Sequence, residues 1–78
     1  MAFVPDNGKD VFIDYPNGYK LHLQYGYFDY GNGTGDEGYR HIWEHPDGSL
    51  HPLHGGQTRI PTHEDSIELI LKAMRAGW

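Results

Sequence analysis

No cysteine occurs in the 78 residues, so a disulfide framework is excluded and the composition fits a reducing compartment. No run of about 18 apolar residues is present, so no transmembrane helix and no membrane contact are expected. The opening Met-Ala-Phe-Val-Pro-Asp has neither the basic start nor the apolar stretch of a signal peptide, which points to the cytoplasm. Positive charge is scarce. Lys plus Arg number 6 against 11 Asp plus Glu, for a net charge of -5. Direct nucleic-acid binding needs a basic face and is not expected. With 78 residues, one small domain over 1–78 is expected, and chains of this size bury only about 60% of their unfolded surface.

Motifs for chemistry are also missing. Ser49 and Ser66 have no nucleophile-elbow context. The glycine-rich run 31–38 lacks the Gly-Lys-Ser/Thr ending of a phosphate loop, and its Asp36 and Glu37 repel phosphate. Asp29, Asn32, Asp36 and Glu37 offer oxygens for calcium, but in neither the EF-hand nor the nonapeptide spacing. The adjacent acids Asp36-Glu37 and Glu64-Asp65 are of a kind common in surface loops and first helical turns. Six histidines are present, four of them at His41, His45, His51 and His54. On an extended strand His41 and His45 stand about 13 Å apart, too far to share one zinc ion. The expectation is therefore no catalytic residue, no metal and no cofactor; a His/carboxylate metal site or small enzyme is the alternative.

What is present is patterned. Val11, Ile13 and Tyr15 alternate with Phe12 and Asp14. After Pro16-Asn17-Gly18, Tyr19, Leu21, Leu23, Tyr25 and Tyr27 alternate with Lys20, His22, Gln24 and Gly26. This period-2 pattern describes two strands joined by a three-residue hairpin loop. The implied register sets Ile13 opposite Leu21, Val11 opposite Leu23 and Asp14 opposite Lys20, with Lys20, His22 and Gln24 on a wet face and Tyr19, Tyr25 and Tyr27 facing the helix. A second hairpin, 39–45 and 49–53 around Pro46-Asp47-Gly48, sets Trp43 opposite His51 and His41 opposite Leu53. Residues 1–9 read as a flexible arm and 31–38 as a glycine-rich acidic loop. Thr62 is a helix N-cap with Asp65 three residues on, Glu64, Asp65 and Glu68 suit the start of the helix, Lys72 and Arg75 its end, and Gly77 the left-handed position beyond it. Ile67, Ile70, Leu71 and Met74 form an i, i+3, i+4, i+7 stripe expected to pack on the sheet. The fold class is α+β: two antiparallel β-hairpins in one small sheet, with a single C-terminal helix on one face.

The stretch from Tyr25 to Tyr39 concentrates Tyr, Phe, Gly and carboxylates without Lys, Arg, His, Ser or Cys. Such a composition suits contact rather than reaction. Phe28, Asp29, Tyr30, Asp36, Glu37 and Tyr39, with Glu44 and Asp47, are the candidate partner-binding residues, directed at a protein with a basic surface. In size, acidity and lack of catalytic motifs the whole chain resembles the small phage-encoded anti-CRISPR inhibitors. That resemblance implies a non-enzymatic inhibitor in the host bacterial cytoplasm. It would block a basic nucleic-acid-contact surface of a CRISPR effector, sterically or as a DNA mimic. The MbtH-like accessory proteins share a sheet-plus-helix outline, but their Trp-Pro and Gly-Trp core signature is absent here. Either a monomer or a homodimer, in which extra aromatics pack against their own copy, fits the composition.

Overall fold

The computed structural model describes residues 2–51 and 58–78. Three long strands, β1 (Ala2–Asp14), β2 (Lys20–Gly31) and β3 (Thr34–Glu44), and a two-residue strand β4 (Leu50–His51) precede one helix, α1 (His63–Arg75). The strands form one antiparallel sheet in the order β1-β2-β3-β4. The α+β class is as expected, but the sheet is a meander of three long strands with a short fourth rather than two hairpins. The expected pairs Ile13–Leu21, Val11–Leu23 and Asp14–Lys20 occur, as does Trp43–His51. The pairing of His41 with Leu53 lies outside the described residues.

Both Pro-Asx-Gly turns form by the same local chemistry. In the first, the Tyr15 amide donates to the Tyr19 carbonyl at 2.9 Å and the Gly18 amide to the Tyr15 carbonyl at 3.0 Å. Gly18 sits at φ 87°, a left-handed position suited to glycine. The His45–Ser49 turn repeats these bonds at 2.8 and 2.9 Å, with Gly48 at φ 90°.

Residues 31–38 are not a loop. Gly31 pairs with Thr34 across a two-residue turn, and Asn32 and Gly33 both have positive φ, 55° and 73°. An Asn-Gly pair with this backbone matches the right-handed twist of the flanking strands and closes a tight hairpin. The Asp29 carboxylate accepts from the Gly31 amide at 2.9 Å, and the Thr34 hydroxyl donates to the Gly31 carbonyl at 2.8 Å. Beyond the turn the glycines make room for rings. A Cβ on Gly35 would collide with the Tyr27 hydroxyl and the Phe28 carbonyl, and one on Gly26 would stand 2.9 Å from the Phe3 ring. The same device recruits residues 2–5 into β1, where Phe3 pairs with Phe28 and their rings meet edge-on at 4.7 Å. The register shifts between Pro5 and Asp10, so the expected flexible arm is a strand with a bulge.

The core lies between β2 and α1. Leu21, Leu23, Leu69 and Ala73 are buried, with Val11, Ile13, Tyr15, Trp43, Ile60 and Trp78 packed around them. Thr62 caps the helix by accepting from the Asp65 amide at 3.2 Å, and Gly77 takes φ 87° after its last turn. The inward face of α1 is not the expected stripe. Ile67, Ile70, Leu71 and Met74 are all exposed. Two tethers set this rotation. The Tyr15 hydroxyl donates to Asp65 at 2.9 Å, and the Trp78 ring packs on the core and stacks toward Tyr39 at 6.2 Å. The i, i+4, i+8 row Asp65, Leu69, Ala73 therefore faces inward.

The glycine packing yields a contrast between two positions. Gly35→Ala should lower stability by about 1–3 kcal/mol, the usual range for overpacking. Gly38→Ala, whose Cβ would stand an ordinary 3.5 Å from the Phe28 ring, should cost much less. Urea midpoints of the two variants check this; equal losses would remove ring packing as the reason for Gly35.

Candidate interaction surface

The far half of the β2–β3 hairpin carries most of the expected contact residues, and the strand period divides them between two faces. On the helix side Tyr25, Tyr27 and Asp29 pair with Tyr39, Glu37 and Gly35. The Tyr25 hydroxyl donates to Glu37 at 2.9 Å, which pushes that phenol's pKa up. Tyr25 and Tyr39 meet edge-on at 4.8 Å, Lys9 sits over the Tyr25 ring at 4.9 Å, and Tyr39 stacks toward Trp78 at 6.2 Å. Tyr27 is on the expected side of the sheet but is 40% exposed rather than covered by the helix. On the opposite face Phe28 pairs with Asp36 and packs on Phe3. Tyr30 is 50% exposed beside the turn.

Glu44 and Asp47 do not join this group. Glu44 lies eight residues along β3 from Asp36, about 26 Å at strand rise. Its carboxylate contacts the His22 ring at 2.8 Å. Asp47 closes its own turn, accepting from the Ser49 amide at 2.9 Å and the Ser49 hydroxyl at 2.7 Å. Those bonds hold its carboxyl below the usual carboxylate range.

The face without the helix, expected to be wet, holds a polar chain across three strands. Arg40 Nε donates to Gln24 at 2.9 Å, and Gln24 donates to Asp10 at 3.3 Å. Asp10 meets His22 Nδ1 at 2.7 Å, and Glu44 meets His22 Nε2 at 2.8 Å. His22 and Gln24 are buried, each 7% exposed, and Ile42 beside them is buried too. Phe12 leans over His22 at 5.2 Å between centroids, and Arg40 lies over Phe3 at 4.2 Å. Burial pulls the Arg40 pKa down. Carboxylates thus contact both ring nitrogens of His22. Among the described residues no three His, Cys, Asp or Glu side chains are grouped to hold an ion. The first hairpin's register already placed Asp10 beside Gln24 and diagonal to His22. Glu44 became legible only with the β2–β3 register.

Two concavities flank the core. A groove of 390 Å³ between α1 and β3 is lined by Leu23, Tyr39, His41, Ile70, Met74 and Trp78. His41 Nε2 and Trp78 Nε1 are buried there without a hydrogen-bond partner among the described residues. Burial pulls the His41 pKa down. A wider cleft of 550 Å³ at the turn end is lined by aromatic rings of Tyr15, Tyr19 and Trp43 together with His45, His51 and Arg59. Trp43 Nε1 donates to the Arg59 carbonyl at 2.9 Å. No helix is long and apolar enough to cross a membrane among the described residues. Compared with protein-family models, curated proteins and solved structures, the chain matches none of them.

Two measurements follow from these groups. His22→Ala removes the donor shared by Asp10 and Glu44, leaving Asp10 with Gln24 alone, and should cost about 1–3 kcal/mol; His22→Gln, which keeps one donor, should cost less. Denaturant titration ranks the pair, and an equal ranking would mean that ring packing rather than hydrogen bonding matters. The second concerns acid. A histidine whose folded pKa lies below its unfolded value binds protons more readily when unfolded. The His41 contribution is thus full above about pH 6.5 and is lost as pH falls through the folded pKa. Thermal melts should show His41→Phe to be less acid-sensitive than the wild type; parallel pH profiles would refute this.

Proposed function

We propose that the chain is a non-enzymatic protein-binding domain of the anti-CRISPR kind, which inserts the far end of its β2–β3 hairpin into a basic nucleic-acid-contact surface. The observation that carries this reading is the exposure of Tyr27, Tyr30 and Tyr39 on the same hairpin end as Asp29, Asp36 and Glu37. Among the described residues no ion pair involves those three acids. Their charge therefore stands ready for lysines and arginines of a partner, and the tyrosines add rigid amphipathic area with faces that attract cations. Ring packing on glycine and the tight Asn-Gly turn hold the hairpin in shape before contact, which lowers the ordering cost of binding.

Steric blocking fits better than imitation of DNA. Of the five acids first considered, Glu44 contacts His22 and Asp47 lies in the His45–Ser49 turn, both away from the Gly31–Thr34 end of the hairpin. The remaining three are divided between two faces of a narrow hairpin, unlike the continuous charge of a phosphate backbone. Rings and acids on both sides describe a wedge that enters a cleft between basic walls.

The test uses purified CRISPR effector complexes and their target DNA. Wild-type protein should bind an effector and displace DNA. The double substitution Asp36→Lys, Glu37→Lys should weaken binding at least about tenfold at low salt and flatten its salt dependence. Unchanged affinity of that variant would remove the hairpin end from the site, and failure of the wild type to bind any effector would remove the inhibitor class.

A further inference from the structure

The outward face of α1 is apolar and uncovered. Ile67, Ile70, Leu71 and Met74 are 55%, 48%, 41% and 66% exposed. At 3.6 residues per turn these four form one continuous stripe, directed away from the row that packs Leu69 and Ala73 on the sheet. A contiguous apolar patch of this kind on a small chain marks an interaction site. The stripe meets the hairpin's contact residues at Tyr39, which lines the same groove as Ile70 and Met74, while Asp29, Asp36 and Glu37 do not line it.

The charges beside the stripe indicate what covers it. Helical geometry places Glu64, Glu68 and Arg75 along one border, next to Leu71. All three are exposed, and among the described residues none takes part in an ion pair. The acids occupy the first half of the helix and the arginine the last turn. When two helices pack antiparallel about a two-fold axis, the same border of each helix meets its copy running in reverse. Centred between Ile70 and Leu71, this sets Ile67 against Met74 of the second copy and Ile70 against its Leu71. Arg75 of each chain then falls at the level between Glu64 and Glu68 of the other. Parallel two-fold pairing would instead set this border against the opposite one, beside Ile70, where His63 and Ser66 supply no Lys, Arg, Asp or Glu to pair with it.

We infer that α1 is a self-complementary docking surface and that its occupant is a second copy of this chain, bound antiparallel through Ile67, Ile70, Leu71 and Met74 with Glu64 and Glu68 paired to Arg75. The contact is isologous, so every favourable pair occurs twice and the assembly closes as a dimer. The groove holding His41 and Trp78 borders the stripe through Ile70 and Met74, and the second copy extends its apolar cover. Of the hairpin contact residues Tyr39 lines that groove, and Asp29, Asp36 and Glu37 do not.

Sedimentation equilibrium with charge-reversed variants tests this. Wild type should sediment as a dimer. Ile70→Glu with Met74→Glu, at positions already exposed, should give a monomer with an unchanged circular-dichroism spectrum. Arg75→Glu alone and Glu64→Lys with Glu68→Lys alone should each raise the dimer dissociation constant at least about tenfold. Mixing these last two variants should recover a dimer, because every border contact is then between opposite charges. Wild type that stays at monomer mass at millimolar concentration, or a mixture that forms no heterodimer, would overturn the proposal. The hairpin variant Asp36→Lys, Glu37→Lys should keep its dimer mass, which separates this result from the fate of the effector-binding reading.

Discussion

Everything in this fold is arranged around the double burial of β2. Four consecutive residues, Leu21, His22, Leu23 and Gln24, are all buried, so the strand is covered on both faces although only one face carries a helix. The two covers differ in kind. Leu21 and Leu23 meet Leu69 and Ala73 in an apolar layer. His22 and Gln24 are enclosed by their own hydrogen-bond partners and by the rings of Phe12 and Phe3 over the ends of that chain. A chain of this size has too little apolar side chain to build two hydrocarbon layers. A fully partnered polar chain avoids the penalty of burying unsatisfied groups and links β1, β2 and β3 side to side.

This arrangement explains why charge did not read as surface. Lys20, His22 and Gln24 alternate with leucine and tyrosine, and such alternation ordinarily means one wet face. Here the wet-face residues find acceptors on both neighbouring strands. Asp10 and Glu44 reach His22 from opposite sides, and Arg40 closes the other end on Gln24. Of the residues first taken as contact acids, Glu44 belongs to this internal chain.

Local chemistry was the part of the sequence that could be read. The two Pro-Asx-Gly turns, the first hairpin register, the Thr62 cap and Gly77 all follow from interactions within a few residues. The run 31–38 was harder because its glycines look like loop residues. Their role becomes visible only once Tyr27 and Phe28 are placed across from them, and the Asn32-Gly33 turn was the local signal for that pairing. The helix orientation was not legible at all from periodicity. Two apolar rows exist on α1, and the choice between them depends on Tyr15, 50 residues from the Asp65 it meets, and on the side to which Trp78 folds. The hairpin end was legible as a contact surface in composition, but its division between two faces needed the strand register.

The bulge in β1 has a bearing on how chains of this protein can meet. β1 is an outer strand, and a long straight outer strand invites another chain to add to the sheet. Pro5 withholds a backbone donor there, and the register then breaks until Asp10. Within the break Lys9 and Asp6 pair at 3.6 Å and place charge along the rim. An incoming strand would find no unbroken ladder over those residues. The irregularity thus guards the sheet against growth into fibres and leaves recognition on this side to side chains, which can be selective in a way that a bare backbone edge is not.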